Sequence, residues 1–158
     1  MIQILIDADA CPVKDEIYKV ALRHAVPVTV VSNSPLRIPR HPLISRTVVS
    51  DGFDAADDWI AERVTAGTVV ITADILLADR CLKMGGAVIS PTGKPFTNAS
   101  IGNAIAVRAI MADLRAGSDH VGGPAAFSKV DRSRFLSALD ETLVRLFAIQ
   151  RRAVARPL

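Results

Sequence analysis

Residues 4–14 read ILIDADACPVK, and the fold follows from how this stretch begins and ends. Ile2 to Ile6 is short, continuously apolar and rich in β-branched side chains, the pattern of a strand buried on both faces in a parallel sheet. The run stops on two carboxylates, Asp7 and Asp9. Pro12 then suits a first helical turn, after which Val13, Ile17, Val20, Ala21 and Leu22 keep mostly to one face up to His24. A buried strand, an acidic turn and an amphipathic helix together open an α/β unit.

The same alternation continues along the chain. Val28 to Val31, Val48 to Val49, Val69 to Ile71 and Ala87 to Ile89 are further short apolar runs. Between them, Asp54 can cap a helix in which Ala56, Ile60 and Val64 recur every four residues, and Ile75 to Met84 reads as a helix stopped by Gly85 and Gly86. Two longer helices are predicted from about Ser100 to Arg115 and from Asp131 to Arg151. Alternating strands and helices imply right-handed crossovers and a layered α/β sheet, mostly parallel. Pro35, Pro39 and Pro42 keep the connection SPLRIPRHPL extended, and the glycine-rich AGSDHVGGPAAFS, residues 116–128, reads as a loop or flap. The expected organisation is one domain over 1–151 and a short basic tail, 152–158.

Composition narrows the class of protein. The chain has 158 residues, half of them hydrophobic, enough for one substantial core. No apolar run reaches the roughly 18–20 residues of a membrane span, and no signal-peptide pattern opens the chain, so a cytoplasmic location is expected. Cys11 and Cys81 form neither a paired framework nor a CxxC motif, and no disulfide or zinc site is expected. The net charge is +3, unevenly spread. No Asp or Glu occurs between Ile17 and Ser50, where Lys19, Arg23, Arg37, Arg40 and Arg46 lie, whereas Asp51 to Asp79 is strongly acidic. Such blocks are either solvated faces that attract each other or a cation site beside a phosphate-binding rim.

Ligands of open parallel sheets bind beyond the carboxyl ends of the strands. Asp7 and Asp9 follow the first strand, Asp51 and Asp54 the third, and Asp74 the fourth. Carboxylates gathered at one edge repel one another unless a cation or protons offset the charge, which points to Mg²⁺ or Mn²⁺ and to phosphodiester chemistry. Each aspartate also has a plainer explanation: an Asx turn for Asp7 and Asp9, helix capping for Asp54 and Asp74, and a solvated charge for Asp79. Asp54 and Asp58, four apart, share a helical face in this reading, with Asp57 flanking the apolar stripe. The candidate metal ligands are Asp7, Asp9, Asp54, Asp58 and Asp74. Lys14, Ser32, Asn33 and Arg37 are the candidate substrate contacts. With one Trp, one Tyr and five Phe, no base-stacking platform is evident, so any RNA would be held through its backbone phosphates.

ILIDADACPVK, GFDAADDWI, VITADILLA and GGPAAFSKVDRSRFLSALD occur in this order and together resemble the uncharacterised bacterial YaiI/YqxD family, from Ile4 to about Leu143. The resemblance implies a three-layer α/β/α sandwich similar to the PIN and NYN nucleases, with acidic residues around Mg²⁺ or Mn²⁺. By that similarity Asp7, Asp54 and Asp74 correspond to the superfamily's site aspartates. The chain departs from the family's pattern at Ala109, where an acidic residue is usual, and at Ala125-Ala126, which replaces a more proline-rich segment. The leading expectation is a metal-dependent nuclease with Asp7, Asp54 and Asp74 as its catalytic carboxylates. One rival is a non-catalytic nucleic-acid or protein-binding module. Another is a haloacid-dehalogenase-like phosphatase with Asp7 as nucleophile, Asp9 as acid/base and Ser32 on phosphate. That enzyme type needs a lysine before its last acidic motif, and none occurs between Val20 and Leu82.

Overall fold

The computed structural model describes residues 1–52, 54–116 and 127–155. Most of the glycine-rich connection, including Ala125-Ala126, and the end of the tail lie outside the described residues. Six strands, β1 (Gln3–Asp7), β2 (Val28–Ser32), β3 (Ile44–Val48), β4 (Thr68–Ile71), β5 (Ala87–Ile89) and β6 (Pro95–Phe96), form one sheet in the order β3-β2-β1-β4-β5-β6. All neighbours are parallel except β5 and β6. The helices are α1 (Lys14–Arg23), α2 (Ala55–Ala61), α3 (Ile75–Lys83), α4 (Asn98–Ala116) and α5 (Lys129–Ala155). The fold is therefore the expected α/β sandwich with a mostly parallel sheet.

The period of two along each strand divides the core into two layers. Ile4 and Ile6 of β1, Val28 and Val30 of β2, and Val69 and Ile71 of β4 pack with Ile17, Val20 and Ala21 of α1 and with Phe135, Leu139 and Leu143 of α5. Leu5, Val31, Val70 and Val88 face the other way, onto Ile60 of α2, Leu77, Ala78 and Cys81 of α3, and Ile101 of α4. Sheet residues buried on both sides leave no polar face, which is why β1 and β4 read as unbroken apolar runs. Each fully buried Ile, Leu, Val or Phe contributes roughly 1.5–3 kcal/mol.

Local sequence explains where several elements stop. Gly85 takes φ +88° after α3, as its position beyond the last helical turn requires. Asp74 caps α3 by accepting from the backbone N–H of Leu76 and Leu77. Gly93, at φ +87°, lets the β5–β6 turn lie against α5: a Cβ there would stand 2.6 Å from the carbonyl carbon of Arg134. At the start of the same helix, Arg132 donates to Glu16 Oε1 at 3.0 Å and to the Pro12 carbonyl at 3.2 Å. The DRSRF segment thus fixes α5 against the turn that follows Asp9. Near the middle of α5, Asp140 Oδ1 meets His24 Nε2, just past the end of α1, at 2.7 Å.

Three boundary expectations need correction. The third strand is Ile44–Val48 and not Val48 to Val49; it is an edge strand with Ser45 and Arg46 exposed, so its pattern is not a continuous apolar run. The helix expected from Pro12 begins at Lys14, after a 3-10 turn at Ala8–Ala10. β6, only two residues long, carries no period to read. Also, α5 runs to Ala155, past Arg151.

Candidate functional site

Strand order creates the site. The chain leaves β1 toward β2 and β3 on one side, then crosses back to β4 on the other, so the sheet's switch point lies between β1 and β4. Ile6 pairs with Ile71, which places Asp7 beside Thr72 as both strands end. The buried Thr72 hydroxyl donates to Asp7 Oδ2 at 2.8 Å, and Thr72 Oγ1 accepts from the Asp74 N–H at 3.0 Å. One threonine thereby couples the two turns that carry Asp7 and Asp74. Burial pushes the Asp7 carboxyl above its ordinary pKa, and the charges of Asp9 and Asp74 push the same way; the Thr72 hydrogen bond opposes them.

The open cavity at this edge, about 230 Å³, is lined by Asp7, Asp9, Asp54, Asp57 and Asp74, with Asn33, Ser50, Gly52, Ala55 and Ala56 completing the wall. Asp57 is the carboxylate that sequence spacing missed. Asp54 stands at the N-terminus of α2 with φ +61°, in the left-handed region that non-glycine residues seldom adopt, and its side chain makes no capping bond. Because Asp54 is not helical, helical spacing counted from it misplaces the faces. Asp57 turns into the cavity, and Asp58 turns to Arg80 at 2.8 Å. Burial pushes Asp57 up to about 6, aided by the charges of Asp74, Asp7 and Asp54, while Arg80 opposes the shift.

The expected substrate contacts are distributed differently. Asn33 lines the cavity. Lys14 Nζ donates to the carbonyls of Cys11 at 3.1 Å and Ala8 at 3.4 Å, closing the 3-10 turn. The buried Ser32 hydroxyl donates to the Ser34 carbonyl. Arg37 is exposed on the proline-rich connection and does not line the cavity, and Arg46 holds that connection through the Leu36 carbonyl at 2.7 Å. Asp79 pairs with Lys83 at 2.9 Å. Ser50, a small polar residue one position before Asp51, carried no signal that would have selected it.

Among the described residues, no three His, Cys, Asp or Glu side chains are grouped so that they could hold a metal ion. The donor chemistry nevertheless fits a hard divalent cation. Mg²⁺ keeps several waters and commonly takes only one or two carboxylates together with substrate phosphates. Asp7 and Asp74 meet that requirement: each has one oxygen engaged, Oδ2 by Thr72 and Oδ1 by the α3 cap, and one oxygen with no hydrogen bond to the described residues. Burial raises Asp7 and Asp57, and the neighbouring carboxylates add to it, against the opposing Thr72 hydrogen bond at Asp7 and the Arg80 charge at Asp57. No helix among the described residues is long and apolar enough to cross a membrane.

The comparisons agree in identifying relatives and stop short of an activity. The family model described as uncharacterized BCR, YaiI/YqxD family matches residues 5–145. A UPF0178 protein of Sphingopyxis alaskensis is 71% identical over 144 residues, spanning 90% of this chain and 94% of that one. The UPF0178 protein bll3966 of Bradyrhizobium diazoefficiens is 59% identical over 152 residues, 96% of this chain and 89% of its own. No solved structure matches. The chain belongs to the uncharacterised YaiI/YqxD family.

Proposed function

We propose that the protein is a divalent-metal-dependent phosphodiesterase acting on RNA, with Asp7, Asp54 and Asp74 as its central carboxylates. The observation that carries this reading is the cavity at the switch point, where aspartates from separate β–α turns meet and where burial, aided by the neighbouring carboxylates, raises Asp7 and Asp57. The resemblance to PIN and NYN nucleases supports RNA as the substrate class. Asp7 and Asp74 would hold Mg²⁺ or Mn²⁺, with Asp54 and Asp9 on the same wall. Such an ion would supply charge neutralisation for the phosphate and would lower the pKa of a water.

The chain's own residues orient and exchange protons. Thr72 fixes the Asp7 carboxylate against the sheet. Asp57, pushed up to about 6, exchanges a proton near neutral pH at its carboxyl oxygens. Asn33 and Ser50 offer neutral hydrogen-bonding groups to an anion that carboxylates would repel.

A non-catalytic binding module is the second reading, favoured by the lack of a preformed three-ligand cluster among the described residues. Incubation of the purified protein with labelled single-stranded RNA and Mn²⁺ separates the two. Cleavage that disappears in Asp7→Asn and Asp74→Asn supports the phosphodiesterase. Cleavage that persists in both variants, or RNA binding that survives chelation without cleavage under any metal, overturns it.

A further inference from the structure

Beside the acidic cavity lies a second groove, about 440 Å³, lined by Ala73, Asp74, Ile75, Arg108 and Ala112. Asp74 belongs to both walls, so the two depressions adjoin. The geometry points to Arg108 as a phosphate-binding residue that holds the nucleotide next to the scissile phosphate, with the strand leaving the carboxylates across the α3–α4 face. This assignment rests on the phosphodiesterase reading and deepens it: it requires a substrate with at least one phosphate flanking the bond that is cut.

Charge singles out this arginine. A polyanion that enters a cavity of carboxylates is repelled wherever a bound cation does not face it, and nearby cations must offset that repulsion. Several cations on the elements that frame the cavity are already engaged. On α3, Arg80 pairs with Asp58 at 2.8 Å and Lys83 with Asp79 at 2.9 Å. Across the site, Lys14 is held by the Cys11 and Ala8 carbonyls, and Arg46 by that of Leu36. Arg108 is exposed, enters no ion pair among the described residues, and lines the groove that contains Asp74. Its guanidinium can take two phosphate oxygens at once. Ala73 and Ala112 are small enough to let a sugar-phosphate backbone approach.

The test is a fluorescence-anisotropy titration of labelled single-stranded RNA in Mg²⁺ at several salt concentrations. It uses the full chain with Asp7→Asn to keep the strand intact, alone or combined with Arg108→Ala, Arg108→Lys or the remote control Arg152→Ala. Arg108→Ala is expected to weaken binding about tenfold and to reduce the slope of log Kd against log salt by about 0.7, the share of one phosphate on a single strand. Arg108→Lys should restore the slope, and Arg152→Ala should leave it unchanged. Circular dichroism checks that each variant is folded. An unchanged slope in Arg108→Ala, with RNA still cleaved by the natural chain, overturns this assignment alone. Failure of the natural chain to cleave RNA in Mn²⁺ overturns the phosphodiesterase reading and this assignment with it.

Discussion

Thr72 and Asp7 are joined by a 2.8 Å hydrogen bond between the carboxyl ends of two adjacent parallel strands, and the Asp74 N–H bonds to the same threonine oxygen. Thr72 is therefore the hinge pin of the site. Thr72→Val keeps the shape and removes both bonds from a buried position. It should lower stability by about 1–2 kcal/mol in urea unfolding and weaken Mn²⁺ binding, whereas Thr72→Ser should retain most of both. Wild-type metal affinity in Thr72→Val would show that the threonine does not position Asp7.

Asp57 yields a prediction about pH. Its folded value is about 6, against an ordinary 3.8, so the folded protein holds this proton more tightly than the unfolded chain does. The associated stability is fully present below about pH 4 and is lost as pH rises through about 6. Asp57→Asn has no such proton to lose. It should be more stable than the natural chain at pH 8 by about 1 kcal/mol, after discounting for the residue's partial exposure, and should gain nothing at pH 4. Urea midpoints at the two pH values check this; an equal gain at both would remove the charge argument.

Adding Mn²⁺ should raise the melting temperature of the natural chain by relieving the same repulsion. The rise should vanish in Asp7→Asn. Asp58→Asn should preserve it, because Asp58 faces Arg80 and its exposed pair contributes no more than about 1 kcal/mol. A metal response lost in Asp58→Asn and kept in Asp7→Asn would reverse the roles of these aspartates.

Much of this was legible in the sequence, for identifiable physical reasons. Buried parallel strands such as Gln3–Asp7 and Thr68–Ile71 are apolar without interruption, so their ends, and the aspartates that follow, are visible. β3 was misplaced because an edge strand tolerates exposed Ser45 and Arg46, and its apolar signal fades. The aspartates expected at the sheet's C-terminal edge, Asp7, Asp9, Asp54 and Asp74, line one cavity there, and α2 adds Asp57 to it. Counting four residues on from Asp54 selects Asp58, whereas Asp54 stands at the N-cap with φ +61° and it is Asp57 that lines the cavity. Backbone partners leave no trace in a sequence: the carbonyls of Ala8 and Cys11 accept from the Lys14 ammonium group.

Gly93 tests the packing that supports the site from behind. Its positive φ and the 2.6 Å approach to the Arg134 backbone leave no room for a methyl group. Gly93→Ala should cost roughly 3 kcal/mol through backbone strain, seen as a lower urea midpoint. A change below about 0.5 kcal/mol, the usual range for an unconstrained surface substitution, would show that the turn can move away from α5.

The central claim is that the cavity at the switch point takes a divalent cation, and a crystal soaked in Mn²⁺ measures this most directly. Anomalous scattering should show an ion bridged by Asp7 and Asp74, with water completing its coordination, and the peak should be absent from Asp7→Asn crystals. A well-diffracting soak with no peak in this cavity, or with one coordinated elsewhere, would contradict it.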